Sequence, residues 1–176
     1  MSVEGEYKVE RPEWCPPGPW MTEPDKVNWT TAAGLPGMIV RNQSGALCGY
    51  VAVAKGHPLY GVGYGDGEWP DTPEGRFSVH GGLTYSSGCR GHICHVPEPG
   101  EPDDVWWFGF DCAHSGDWHW TSAAPYLKSL RSLPAPAGSR YPADVYRDVA
   151  YVTGEVESLA KQIAVAHDSG KDKENQ

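Results

Sequence analysis

Residues 37–53 read GMIVRNQSGALCGYVAV, and the fold turns on how that stretch is parsed. Met38, Ile39 and Val40 lead in. Leu47, Tyr50, Val51 and Val53 lead out, and the polar segment Asn42 to Gly45 lies between them. β-Branched and aromatic residues on either side of an Asn/Ser/Gly cluster mark two strands joined by a turn. A hairpin starts an antiparallel sheet, and a sheet with an apolar face needs further strands and a cover.

Further strands are found downstream. VWWFGFD at 105–111 is too aromatic to face water on both sides and reads as a central strand. RFSVHGGLTY at 76–85 reads as a strand interrupted by Gly81 and Gly82. The cover lies near the C-terminus. From Pro142 to about Ala166, apolar residues fall at Val145, Val149, Val152, Val156, Leu159 and Ile163. Their alternating spacing of four and three is that of an amphipathic helix, with Pro142 in the first turn and Glu157–Lys161 as an i,i+4 pair. Packing on the sheet and a homodimer seam are the two uses of such a stripe. The expected fold is α+β. It is a single domain with a small, mostly antiparallel sheet, long Gly/Pro-rich loops and the C-terminal helix packed on the sheet. Residues 1–36 read as a Pro/Trp-rich arm pinned by Trp14, Trp20 and Trp29, 37–166 as the compact domain, and 167–176 as a disordered tail.

Bulk properties exclude several classes. The chain has 176 residues, 22 Gly, 16 Pro and 8 Trp, which fits short strands and many turns rather than a helical bundle. Its formal net charge is −9 and it has no Lys/Arg cluster, so general nucleic-acid binding is not expected. No apolar run approaches the ~20 residues of a membrane span. The charged N-terminus MSVEGEYKVERPEW lacks a signal-peptide core, so a cytoplasmic protein is expected. In that compartment Cys15, Cys48, Cys89, Cys94 and Cys112 read as thiols or metal ligands.

Chemistry-bearing residues concentrate between Cys48 and Trp120, which hold 6 of 7 histidines and 10 Asp/Glu against 3 Lys/Arg. A divalent metal would offset that imbalance, and so would solvent. Asp111, His114 and Asp117 are spaced three apart and follow directly on the aromatic strand. Two carboxylates and an imidazole converging there suit a divalent cation or an acid/base pair; the competing reading is a capped turn. His80, ahead of Gly81 and Gly82 with Thr84 beyond, is the fourth candidate, or else part of a bulge. His57 and Tyr60, in KGHPLYG, sit at a loop mouth. CRGHICH at 89–95 lacks zinc-finger spacing and reads as a mobile loop holding thiols.

The blocks GYVAVAKGHPLYG, VHGGLTY, WWFGFDCAHSGD and YRDVAYVTGEVESLAKQI resemble those of a group of small bacteriophage and prophage proteins with no established activity. The resemblance covers roughly residues 47–165. It implies a protein of the bacterial host's cytoplasm made during infection or from a prophage, acting in host takeover or anti-defence. Three functions fit the residues. The first is a metal-assisted hydrolase or nucleotide-acting enzyme. In it His80, Asp111 and His114 act in catalysis, and the same three with Asp117 hold a divalent metal. His57 or Thr84 would orient substrate, and Trp106 or Trp118 would stack on it. The second is a non-catalytic module that sequesters a small polar ligand such as a nucleotide signal, using the Gly81 and Gly82 amides and the aromatic faces. The third is an acidic inhibitor of a host protein, in which the His/Asp cluster is structural.

Overall fold

In the computed structural model of the chain, residues 2–3, 7–94, 104–122 and 144–174 are described, with side chains over 7–94, 104–122 and 144–166. The strands are β1 (Ser2–Val3), β2 (Lys26–Thr30), β3 (Pro36–Arg41), β4 (Leu47–Ala54), β5 (Tyr85–Gly88) and β6 (Val105–Asp111). The helices are the one-turn α1 (Pro73–Arg76) and the long α2 (Val149–Glu174). All strand pairs are antiparallel, in the order β1-β2-β3-β4-β6-β5. The chain is thus an α+β domain with an antiparallel sheet and a C-terminal helix, as expected.

The β3–β4 hairpin closes through its Asn. Asn42 Oδ1 accepts from the Ser44 and Ala46 N–H groups at 3.0 and 3.1 Å, so the side chain shapes the turn. β4 is central, between β3 and β6, and its residues alternate between two buried faces. Leu47, Val51 and Val53 face α2 with Ile39, Phe108 and Phe110, while Cys48, Tyr50 and Ala52 join Met38, Val40 and Trp107 on the other face. Helix residues Val152, Val156, Leu159 and Ile163 are fully buried on the first face. Gly49 makes that contact close: a Cβ there would stand 2.5 Å from Phe110 Cζ and 2.7 Å from Val156 Cγ2.

Four expectations need correction. The helix does not begin near Pro142, which lies outside the described residues, but at Val149. Asp148 caps it by accepting the Tyr151 N–H at 2.8 Å. The preceding residues are spent elsewhere: Val145 forms a parallel bridge with Asp117 and is 50% exposed, so it is no part of the core stripe. The stripe from Val152 onward is buried on the chain's own sheet, which leaves no apolar seam there for a homodimer. The backbone also stays helical past Ala166 to Glu174.

RFSVHGGLTY is not a strand. Phe77 to Thr84 runs beside α2 outside any ladder, with Phe77 and Leu83 buried, and turns at Gly81 and Gly82, whose φ values are +68° and +89°. Residues 26–30, inside the segment read as an arm, form β2 of the sheet. Ahead of β2, Trp20 stacks on Trp118 at 3.6 Å, and within β2 Trp29 Nε1 donates to Glu157 Oε1 at 2.7 Å. That contact draws Glu157 away from Lys161. Trp14 is 42% exposed. Finally, Cys89 and Cys94 are joined in a disulfide, so they are neither free thiols nor metal ligands. Among the described residues no helix is long and apolar enough to cross a membrane.

Candidate functional site

The site is built where three segments meet: the Gly81 turn, the loop after β6, and the start of α2. Asp117 is its hub, with a side chain only 2% exposed. Its Oδ2 accepts from His80 Nε2 at 2.7 Å and from the His114 N–H at 3.1 Å, and its Oδ1 accepts from Arg147 Nε at 3.0 Å. Burial alone would push the Asp117 carboxyl up, but the hydrogen bonds from His80, Arg147 and the His114 amide outweigh it. The group is held below the ordinary carboxylate value and stays ionised.

That charge assigns the neighbouring protons. A carboxylate only accepts, so His80 Nε2 carries the hydrogen. His80 Nδ1 lies 3.0 Å from the Tyr151 hydroxyl. Burial, and then Glu155, raise the Tyr151 pKa, so the phenol keeps its proton and can donate it to Nδ1 of a neutral His80 ring that carries its hydrogen on Nε2. The His80 N–H is itself fastened to Glu155 Oε2 at 2.8 Å, and the Arg147 guanidinium lies 4.8 Å from the centre of the Tyr151 ring. His80 is thereby fixed from both ring nitrogens and from its backbone.

His114 differs. Its Nδ1 is buried and has no hydrogen-bond partner among the described residues. The atom faces Asp117 Oδ2 at 3.7 Å and Asp111 Oδ1 at 3.9 Å, and the His80 and His114 rings meet edge-on at 5.5 Å. A buried nitrogen left without a hydrogen bond is costly, so this one, set between two carboxylates and a second imidazole, needs an explanation. One ligand atom each from His80, His114 and Asp117 lies within 4.8 Å of the others, a spacing that could hold a metal ion. Tetrahedral coordination with bonds of about 2.1 Å sets ligand atoms about 3.3 Å apart, so small rotations would suffice.

The other sequence candidates scatter. Asp111 is only peripheral: its oxygens accept from Thr84 Oγ1 and the Ala113 N–H, both at 3.0 Å, so it shapes its own turn. Gly81 touches the site, since a Cβ there would stand 2.0 Å from His114 Cε1; Gly82 has nothing within 4 Å. His57, Tyr60 and Trp106 lie at the far end of β4 and β6, because Ala54 pairs with Val105 while Cys48 pairs with Asp111. Seven residues of strand separate those ends by roughly 20 Å. There Tyr60 bonds Asp104, and Trp106 Nε1 donates to Val62 O at 2.9 Å. Trp118 is used up in the stack with Trp20 and Tyr146. Burial raises the thiols of Cys112 and Cys48, the latter to about 12, so neither supplies a thiolate.

Arg147, Tyr151 and Glu155 escaped the sequence reading. Their only signal is a spacing of four in sequence, which for Tyr151 and Glu155 falls along one side of the helix while Arg147 precedes it. Comparison with protein-family models, curated proteins and solved structures found no match.

Proposed function

We propose that His80, His114 and Asp117 form a divalent-metal centre, and that the protein is a small metal-assisted hydrolase. The observation that carries this reading is the buried His114 Nδ1, which has no hydrogen-bond partner among the described residues and stands 3.7 Å from Asp117 Oδ2. Two imidazoles and one carboxylate are a ligand set that suits zinc and leaves a coordination position open for water or substrate. When bound, such an ion lowers the pKa of water and polarises an ester or phosphoryl oxygen. The protein's own groups provide the support. Arg147 holds Asp117 Oδ1, which leaves Oδ2 for the ion. To ligate through Nε2, His80 would lose that hydrogen to solvent and take one up at Nδ1, and the Nδ1–H would then donate to the Tyr151 hydroxyl 3.0 Å away. Tyr151 is therefore a positioning residue.

A second reading has an observation in its favour. Asp117 is already paired with Arg147 and bonded to His80, so the cluster closes without an ion. In that case the protein binds a small ligand without chemistry. The resemblance to phage proteins would suit a sequestering or anti-defence role but adds no residue to the argument.

The two readings separate in one assay. Chelator-treated protein is supplied with Zn2+ or Mn2+ and tested on bis(p-nitrophenyl) phosphate and p-nitrophenyl phosphate. Hydrolysis that appears with the ion and disappears with EDTA is expected. Tyr151→Phe should bind the ion about 10–100-fold more weakly, the usual loss for a partner of a ligating histidine. Ion-independent turnover, or a ligand bound and recovered intact, would contradict the hydrolase.

A further inference from the structure

A groove of about 820 Å3 opens beside His80, between the chain at 76–80 and the outer side of α2. Two fastenings define it. The Gln162 side-chain amide pairs with the Ser78 backbone in both directions, at 2.8 and 2.9 Å, and Glu155 holds the His80 N–H at 2.8 Å. Ser158 lies between them on the helix, and Arg76 and Lys161 also line the groove. Arg76 is braced by its own neighbour, with the guanidinium 5.9 Å from the centre of the Phe77 ring.

The charge there runs against that of the whole molecule. The chain carries 23 Asp and Glu against 14 Lys and Arg. Among the described residues, Arg11, Arg41, Lys55 and Arg147 are all in ion pairs. Arg76 and Lys161 share one groove, and neither side chain has an ion-pair or hydrogen-bond partner among the described residues. The one carboxylate lining the groove, Glu155, is engaged with a backbone amide. An arginine fork, a lysine ammonium and the hydroxyls of Ser78 and Ser158 match a phosphoryl group, which offers several charged oxygens to donors on different sides.

We infer that this groove is the substrate subsite of the centre proposed above, and that it takes a small phosphate ester, with Arg76 and Lys161 on the phosphoryl oxygens. His80 is common to the groove and the His80/His114/Asp117 cluster. The inference rests on the hydrolase reading for its chemistry but not for its binding. The acidic remainder of the surface disfavours a polyanion, so the ligand is a small ester rather than a nucleic acid.

The test uses phenylphosphonate, a non-hydrolysable stand-in, titrated into the chelator-treated full chain and followed by 1H–15N NMR. Amide shifts should concentrate at Ser78 to His80 and at Ser158 to Gln162. The double variant Arg76→Gln/Lys161→Gln should bind about tenfold more weakly, and raising NaCl from about 0.05 to about 0.3 M should weaken the wild type too. Shifts that map elsewhere, or a double variant within about twofold of wild type, would overturn the assignment. A zinc titration of the wild type separates the two claims. Phosphonate binding without zinc binding sinks the metal centre and keeps the groove, whereas zinc binding without phosphonate binding sinks the groove alone.

Discussion

Replacing Asp25 by Ala is expected to destabilise the fold by about 3–5 kcal/mol, the cost of removing one partner from a buried ion pair. Asp25 accepts from Arg41 Nε at 2.7 Å, from Arg11 through both carboxylate oxygens, and from the Val9 N–H at 2.9 Å. The Arg41 side chain is completely buried, and beyond Asp25 it reaches Glu23 at 3.1 Å, the Tyr146 hydroxyl at 2.9 Å and the Gly45 carbonyl at 3.1 Å. The variant would leave two guanidinium groups facing one carboxylate in a water-poor site. A domain stable by about 5–15 kcal/mol loses a large fraction of its margin that way. Urea unfolding followed by tryptophan fluorescence measures it, and a loss below about 1 kcal/mol would mean that the pair behaves as a solvated surface bridge. The same carboxylate gives a pH signature. Burial would raise its pKa, but the bonds from Arg11, Val9 and Arg41 outweigh that and lower it. The folded pKa therefore lies below the unfolded value of about 3.9. Its contribution is complete above that value and is lost as pH falls through the folded pKa. The Asp25→Ala variant should lose stability less steeply over that acid range than the wild type.

Gly81→Ala should dismantle the candidate site while leaving the sheet in place. At φ +68° an L-residue costs about 1–2 kcal/mol. The added Cβ would also stand 2.0 Å from His114 Cε1, so the imidazole must swing out of the cluster. Zinc affinity should fall at least about tenfold. The melting temperature should fall by about 2–8 °C, the shift such a cost produces in a chain of this size. Gly82→Ala is the matched control: φ is +89° but nothing lies within 4 Å, so it carries similar backbone strain without touching His114. Gly82→Ala should lose similar stability and keep the ion. Equal zinc affinity in Gly81→Ala and the wild type would mean that His114 is not a ligand.

The hairpin at 37–53, the central aromatic strand and the buried helix stripe were legible because each depends on local periodicity. A strand buried on both faces reads as continuous apolar residues, and a helix packed on a sheet reads as a stripe. Phe77 to Thr84 deceived for the same reason. Phe77 and Leu83 are buried, yet the ladder bonds of this segment are replaced by the Gln162 amide and by Glu155, which come from residues 84 and 75 positions away. Long-range replacement of that kind leaves no periodic trace. The candidate site divides similarly. His80, His114 and Asp117 were named from loops at strand ends, and they do converge. Asp111 was drawn in by proximity in sequence, but Thr84 and its own turn claim it. Arg147, Tyr151 and Glu155 were invisible because polar residues on a helix are ordinarily solvated; only the fold reveals that the segment entering α2 and its first turns close over Asp117 and His80. The Arg41–Asp25 network was hidden because nothing in RNQSG marks its Arg as buried.

Binding of a divalent cation by His80, His114 and Asp117 can be measured on the protein itself. Calorimetric titration of Zn2+ into chelator-treated, non-reduced full chain tests it most directly, because Cys89 and Cys94 then remain joined and cannot compete. The wild type should bind a single equivalent, and His114→Ala, which removes one of the proposed ligands but not the Asp117 hub, should lose affinity by at least about a hundredfold. Absence of zinc binding by the wild type, or unchanged binding by His114→Ala, would contradict it.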